Sequence, residues 1–304
     1  MDKKNKPDFL VVGAAKSGTT SLFHYLNKHP DIYIPEVKEC RFFSQLTKNF
    51  NGLGAEFFPN SGITDEKEYF ELFAGHEDKI CGDISNDYLY YYERSIKNIK
   101  KYLDDDVKII IILRNPIDRA YSNYMHAVRD NWENLTFENA IIEEAYRIRE
   151  NWGWPYHYIQ AGFYYKRVKA YLDNFSNVKV YLFEDLKNKN KFLNDLYDFL
   201  NVKRIHNIED EKIYNVSGYP KNKIIHIFLT SDGIFRKVLK PVVNALFSKE
   251  KIQQIMTNLK YKNLVKKELS FKTKLYLSKL YESDIEKLSV LIKRDLTKWK
   301  KDEM

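Results

Sequence analysis

The sequence predicts an α/β fold, a largely parallel sheet covered by helices on both faces. Two observations predict it: short apolar runs of strand length at 9–12, 107–113 and 178–183, with a weaker one at 79–84, and helical patterns between them. After the first strand, 17–27 reads as a helix that ends before His29 and Pro30, and 95–103 reads as a helix leading into the strand at 107. Pro116 opens the next helix, continued by Tyr121, Tyr124 and Val128, and further helices are expected over 137–150, 160–175 and 190–200. In the last hundred residues the clearest pattern is 276–298, where Leu277, Leu280, Tyr281, Ile285, Leu288 and Leu291 recur at helical spacing. No linker rich in Gly, Pro or Ser and no internal repeat interrupts the chain. One domain over 1–304 is therefore expected, with the C-terminal helices on the same core.

Composition narrows the class. Of 304 residues, 44 % are hydrophobic and 30 % charged, ordinary for a globular chain, and no run of about 18 apolar residues offers a membrane span. Lys3, Lys4 and Lys6 are followed by only a short apolar run at 9–12, too little for a secretory signal, so the expected compartment is the cytoplasm. Cys40 and Cys81 cannot build a disulfide framework and read as two reduced thiols. The seven histidines show no metal-ligand spacing such as H-E-x-x-H, so no metal is expected. A net charge of +8 favours an anionic partner. The lysines are spread along the chain, and the clusters at 187–191, 221–223 and 258–267 read as solvated helix faces, so a nucleic-acid partner is not expected.

The sharpest signal is FLVVGAAKSGTTSL (9–22), an apolar strand, a glycine-bearing turn and a helix start. It reads as a phosphate cradle. Gly13 and Gly18 permit a sharp turn, N–H groups of Ser17, Gly18, Thr19, Thr20 and Ser21 gather at a helix N-terminus, and Lys16 adds a full positive charge. A nucleoside-triphosphatase loop, G-x-x-x-x-G-K-[ST], has the same glycine spacing, but here Thr19 stands in the lysine position and the lysine lies at 16. The strand at 107–113 runs into Arg114 rather than an acidic residue that could hold magnesium. The expected architecture is thus a P-loop-like parallel sheet flanked by helices.

This loop resembles the 5'-phosphosulfate loop of sulfotransferases that use 3'-phosphoadenosine 5'-phosphosulfate, in the branch similar to heparan sulfate sulfotransferases and bacterial carbohydrate sulfotransferases. RNPIDRAYS (114–122) resembles the family's 3'-phosphate motif, which implies that Arg114 and Ser122 grip the 3'-phosphate. The chemistry suits the residues, since arginine offers a fork of donors and serine a hydroxyl. PEVKECRFFS (35–44) resembles the family's lysine-glutamate-x-x-Phe-Phe motif, whose glutamate is the general base, and this implies that role for Glu39. Spacing alone would leave Glu36 and Glu39 as two surface acids among 42.

GDISNDYL (82–89) resembles a segment that in the family often reads Gly-Glu-x-Ser/Thr-Pro-x-Tyr; here Asp83 replaces the glutamate, Ile84 stands where some relatives have lysine, and Asn86 replaces the proline. For Asp83 both a structural hydrogen bond and support of Lys16 or the acceptor are open. GFY (162–164) and EDL (184–186) follow the family's scaffold pattern. NVSGYPKN (215–222) resembles the late loop over the adenosine and 3'-phosphate, which implicates Gly218 and Lys221, the latter where arginine is more usual. The C-terminal helix also follows the family pattern. The aromatic cluster 152–158 reads either as packing or as a stacking surface for a sugar or adenine.

The resemblance implies in-line sulfuryl transfer to a hydroxyl or amine acceptor, with a saccharide or glycolipid favoured. Glu39 would take the proton, Lys16 would neutralise charge on the departing oxygen, and backbone N–H groups of 17–20 would hold the phosphosulfate. Two other classes stay open at this point. A P-loop nucleotide kinase would require magnesium and ATP, and a non-catalytic polyanion-binding module would bind in a salt-sensitive way without turnover.

Overall fold

The computed structural model describes residues 5–45, 50–53, 55, 62–205, 219–221, 259, 264–265 and 268–300. Five strands form one parallel sheet: β1 (Phe9–Gly13), β2 (Ile32–Tyr33), β3 (Ile80–Ile84), β4 (Lys108–Leu113) and β5 (Val178–Leu182), in the order β2-β3-β1-β4-β5. β1 is buried throughout and β4 everywhere past its first residue. Such uninterrupted apolar strands are what a sheet with both faces covered requires.

Alternation along these strands sorts the core into two layers. Leu10, Val12, Ile109, Ile111 and Leu113 point to one side, and Phe9, Val11, Ile110 and Ile112 to the other. The second layer is closed by α1 (Thr19–Leu26) and, past β5, a helix over Lys189–Leu200, through Leu22, Leu26, Phe192, Leu193, Leu196 and Leu200. In chain order, the remaining helices up to that point are α2 (Glu66–Glu71), α3 (Tyr92–Tyr102), α4 (Pro116–Arg129), α5 (Phe137–Ile142), α6 (Glu144–Arg149) and α7 (Tyr165–Asn174), so Lys189–Leu200 is α8. The first layer is closed by α3, α4, α7 and α9 (Phe271–Ile292), whose Leu277, Tyr281, Ile285 and Leu288 form its buried stripe. A short α10 (Thr297–Lys300) follows, and a two-strand ladder pairs β6 (Tyr219–Pro220) with β7 (Leu264–Val265).

The expected strands are all present, and the C-terminal helices lie on the same core. Arg294 reaches Asp185 at 2.8 and 3.1 Å, and Trp299 Nε1 donates to Glu184 at 3.0 Å, so the Glu-Asp pair past β5 anchors the end of the chain. Gly162 is needed where α9 crosses, because a Cβ there would lie 2.6 Å from the Tyr281 hydroxyl oxygen.

Three helix expectations shift. The helix expected over 137–150 is two, α5 and α6, meeting at Glu143; the next residue, Glu144, turns its carboxylate to the backbone N–H groups of Ile159 and Gln160 at 2.6 and 2.7 Å. The one expected from 160 starts at Tyr165, because Asp284 of α9 accepts from the N–H groups of Tyr164 and Tyr165 and so caps α7 from a distant element. The one expected over 276–298 begins earlier, at the Ser270 cap, and stops at Lys293, which takes a left-handed conformation at φ 53°. No helix among the described residues is long and apolar enough to cross a membrane, and both cysteines are buried free thiols.

Candidate active site

β1 sits mid-sheet between β3 and β4, and the chain leaves the C-terminal ends of all three into loops that face one another. In open parallel sheets this carboxyl edge is where ligands bind. The loop after β1 is held open by three left-handed or glycine-only conformations: Gly13 at φ 148°, Lys16 at φ 69° and Gly18 at φ 93°. A Cβ on Gly18 would come within 2.7 Å of Leu186 Cδ2, so the residue is required for space as well as for its φ. Gly18 caps α1 without any side-chain hydrogen bond, and no acidic residue occupies the first turn. The positive end of α1 is thereby left for an outside anion.

Ser17, Gly18, Thr19 and Thr20 form this turn as expected, with Ser17 and Thr19 buried. Ser17 Oγ is buried with no hydrogen-bond partner among the described residues. Lys16 lies under strong constraint. Burial, then the cationic neighbour Arg129, pull its ammonium down to about 7; Asp130 opposes them, Arg114 adds to the lowering, and Glu39 opposes it.

Arg114 leaves the end of β4, with its guanidinium over the Phe183 ring at 4.7 Å and NH1 donating to the Lys16 carbonyl at 3.1 Å. The two expected phosphate-binding segments are therefore joined directly. Arg114 Nε is also buried with no hydrogen-bond partner among the described residues, a second orphaned donor beside Ser17 Oγ. Orphaned donors, a helix N-terminus and two cations suit a ligand rich in anionic oxygens. Ser122 is half-buried on α4, whose start is fixed by Pro116 and by Asn115 accepting from the Ile117 N–H; such a cap contributes about 1 kcal/mol. Lys221 is exposed one residue past β6, and β6 packs against α4. Gly218 lies outside the described residues.

Glu39 comes to the same edge from the segment after β2. Its N–H donates to the Ile84 carbonyl at 3.2 Å and its own φ is 63°. Asn86 Nδ2 donates to Oε1 at 2.7 Å and Arg41 NH2 to Oε2 at 3.0 Å. Lys38 donates from Nζ to Thr20 Oγ1 at 2.7 Å, tying this segment to α1, and its burial lowers its pKa against the pull of Glu39. The structure thus brings Lys16, Ser17, Gly18, Thr19, Thr20, Glu39 and Arg114 to one edge.

Asp83 has a structural place. It accepts from Tyr69, Tyr88 and Ser85 at 2.9, 2.7 and 2.8 Å, and burial raises its pKa despite those bonds. Asp87 next to it is pushed up to about 6 by burial, with Arg41 acting against the rise. The aromatic cluster is mixed. Trp154 packs on Ala15 of the loop together with Phe50, Tyr90 and Tyr91, whereas Tyr156 and Tyr158 belong to the main core. His157 meets the Tyr90 hydroxyl through Nδ1 at 2.5 Å, and burial lowers its pKa to about 4, so it stays neutral.

Four residues at this edge carry no role in the sequence analysis: Lys38, Arg41, Asn86 and Arg129. The first two flank Glu39 in its motif, which was a usable signal. Arg129 sits in the last turn of α4 beside Asp130, and nothing in the sequence places it near Lys16. No group of three or more His, Cys, Asp or Glu that could hold a metal occurs among the described residues.

A parallel sheet with a glycine-lysine cradle at its carboxyl edge, coupled to an arginine at the end of the neighbouring strand, defines a P-loop-like protein whose site suits phosphate or sulfate groups. A sulfotransferase-domain model matches residues 6–230, and the chain belongs to the sulfotransferase family. A solved sulfotransferase from Alicyclobacillus acidocaldarius is 32 % identical, with 97 % of this chain and 99 % of that one covered and a TM-score of 0.73. Human heparan sulfate glucosamine 3-O-sulfotransferase 3B1 is 27 % identical over 232 residues, which are 71 % of this chain and 52 % of the human protein. Mouse carbohydrate sulfotransferase 15 is 24 % identical over 176 residues, 48 % of this chain and 31 % of the mouse protein. The chain spans about half the length, or less, of these curated relatives.

Proposed function

We propose that the chain transfers a sulfuryl group from 3'-phosphoadenosine 5'-phosphosulfate to a hydroxyl, or an amine, of a saccharide or glycolipid acceptor. When bound, the donor supplies an electrophilic sulfur with adenosine 3',5'-bisphosphate as its leaving group. Backbone N–H groups of 17–20 hold the 5' end, Arg114, Ser122 and Lys221 hold the 3'-phosphate, and Gly218 belongs to the segment assigned to cover the adenosine and 3'-phosphate. Glu39 takes the proton from the acceptor as the new bond to sulfur forms. Lys16 neutralises the oxygen that leaves sulfur for the 5'-phosphate. Geometry and charge, with no covalent enzyme intermediate, supply the rate.

One observation carries this reading: Arg114 hydrogen-bonds the carbonyl of Lys16, while Lys16 in turn lies within the electrostatic reach of Glu39. The residues read as base, leaving-group cation and 3'-phosphate arginine therefore lie at one edge of the sheet. Two relatives are named for saccharide acceptors, which supports the acceptor class. The test is transfer of radiolabelled sulfate from the donor to a panel of saccharides and glycolipids, without added metal. Label on a saccharide, with equimolar adenosine 3',5'-bisphosphate released, is the expected result; label on no acceptor, with ATP turned over instead, would reject the reading.

A further inference from the structure

Both oxygens of the Glu39 carboxylate are taken by side chains, and the two donors are unlike. Arg41 is a neighbour in sequence and brings a charge. Asn86 comes from the turn after β3 and brings a neutral amide, at 2.7 Å the shorter contact of the two. Asn86 is 8 % exposed, whereas the Glu39 side chain keeps 24 % of its surface in solvent. A mostly buried group is holding a partly exposed one.

Asn86 is also poorly satisfied. Its Oδ1 is buried with no hydrogen-bond partner among the described residues. Turning the amide over would place that oxygen against the carboxylate, so Glu39 itself fixes the orientation. An unpaired buried carbonyl is a net cost to a fold, and an apolar side chain of similar size would avoid it. The backbone around Asn86 is rigid for separate reasons. Leu89 N–H donates to the Val12 carbonyl at 2.7 Å, and the Asn86 carbonyl oxygen lies 3.1 Å from where a Cβ of Gly13 would stand. Asn86 thus rests against the base of the loop that carries Lys16. Glu39, at a left-handed φ, needs such an external hold to keep its direction.

We propose that Asn86 is a positioning residue, which registers the Glu39 carboxylate to the loop bearing Lys16 at a cost to the stability of the fold. The proposal rests on the reading of Glu39 as the general base. Asn86 touches no reacting atom; it acts through Glu39. The other charged groups that face Glu39 are Arg41 and Lys38 on its own segment, Lys16 on the loop, and Asp83 and Asp87 on β3 and the turn after it. Those groups remain in place when Asn86 alone is changed.

The experiment uses the whole chain with 13C-labelled glutamate and reads the Glu39 carboxylate by NMR at one neutral pH, its signal assigned by its loss in Glu39→Gln. With the amide donor gone the carboxylate loses one of its two holds, so in Asn86→Ala its chemical shift is expected to move toward that of the exposed glutamates and its side-chain order to fall. Asn86→Asp, which removes the donor and sets a like charge beside the carboxylate, is expected to displace the signal further. The melting temperature of Asn86→Leu, an apolar side chain of similar size, should equal or exceed that of the wild type. An unmoved Glu39 signal in Asn86→Ala, whatever its melting temperature, would make Asn86 a packing residue and overturn the proposal. The base reading is judged separately, by turnover of Glu39→Gln; wild-type turnover there would sink that reading while leaving the NMR result intact.

Discussion

Glu39→Gln is expected to abolish most sulfuryl transfer while leaving binding of adenosine 3',5'-bisphosphate unchanged. The substitution keeps the size of the side chain and one acceptor oxygen, so Asn86 can still donate to it. It removes the basic lone pair that an attacking hydroxyl needs, together with the ion pair to Arg41. General-base catalysis is worth roughly 10²–10⁴-fold, and kcat should fall by that order. Calorimetric affinity for the bisphosphate should stay within about twofold, since Glu39 is assigned the acceptor's proton and its carboxylate is held by Asn86 and Arg41 rather than by a residue assigned to the donor. Loss of binding and turnover together would mean that Glu39 shapes the donor site, and the base would have to be sought elsewhere.

Lys16 yields the second large effect, through pH. In the free protein its ammonium is pulled down from the usual lysine range to about 7, first by burial and then by Arg129. Two consequences share one sign. The unfolded chain binds more protons than the folded one between about pH 7 and the ordinary lysine range, so the free fold gains stability as pH rises through that window. Bound anionic phosphate favours the ammonium, so binding takes up a proton over the same window and affinity weakens as pH rises. Above pH 7, where phosphate is already largely dianionic, the dissociation constant should climb by up to about tenfold per pH unit. In Lys16→Met that slope should vanish, the affinity at neutral pH should be lower, and the free protein should melt higher at pH 6. Calorimetry in buffers of different ionisation enthalpy reads the proton uptake directly; an identical pH slope in wild type and Lys16→Met would remove Lys16 from the donor site.

How much of this was legible depended on whether the cause was local. β1 and β4 could be read because a strand buried on both faces must be apolar along its whole length, and the runs at 9–12 and 107–113 are. β2, two residues long, has no pattern to read, and it exists only because β3 offers Ile80 and Cys81 to pair with. The start of α7 was misplaced for a similar reason. Its cap is Asp284, more than a hundred residues away, and capping signals in sequence are read only from neighbours.

The site divides along the same line. The loop at 13–21 carries its chemistry in adjacent residues, and the fold places them as the motif implies. Glu39 needed the resemblance, since nothing near it in sequence marks a base; the clamp by Asn86 exists only after β3 and the segment following β2 are side by side. Asn86 was visible in the sequence solely as a departure from proline. That departure supplies the side-chain amide, which proline lacks. Arg129 was invisible because its influence on Lys16 crosses from the far end of α4.

The central claim is a donor site that reads a 3'-phosphate through Arg114. Its most direct measurement is calorimetric binding of adenosine 3',5'-bisphosphate and of ADP, without added magnesium, to the wild type and to Arg114→Ala. The account predicts that the wild type binds the 3'-phosphorylated nucleotide more tightly by about 10²-fold, as befits a charge-assisted pair of roughly 1.5–3 kcal/mol, and that Arg114→Ala loses most of that preference. Equal binding of both nucleotides by the wild type would contradict it.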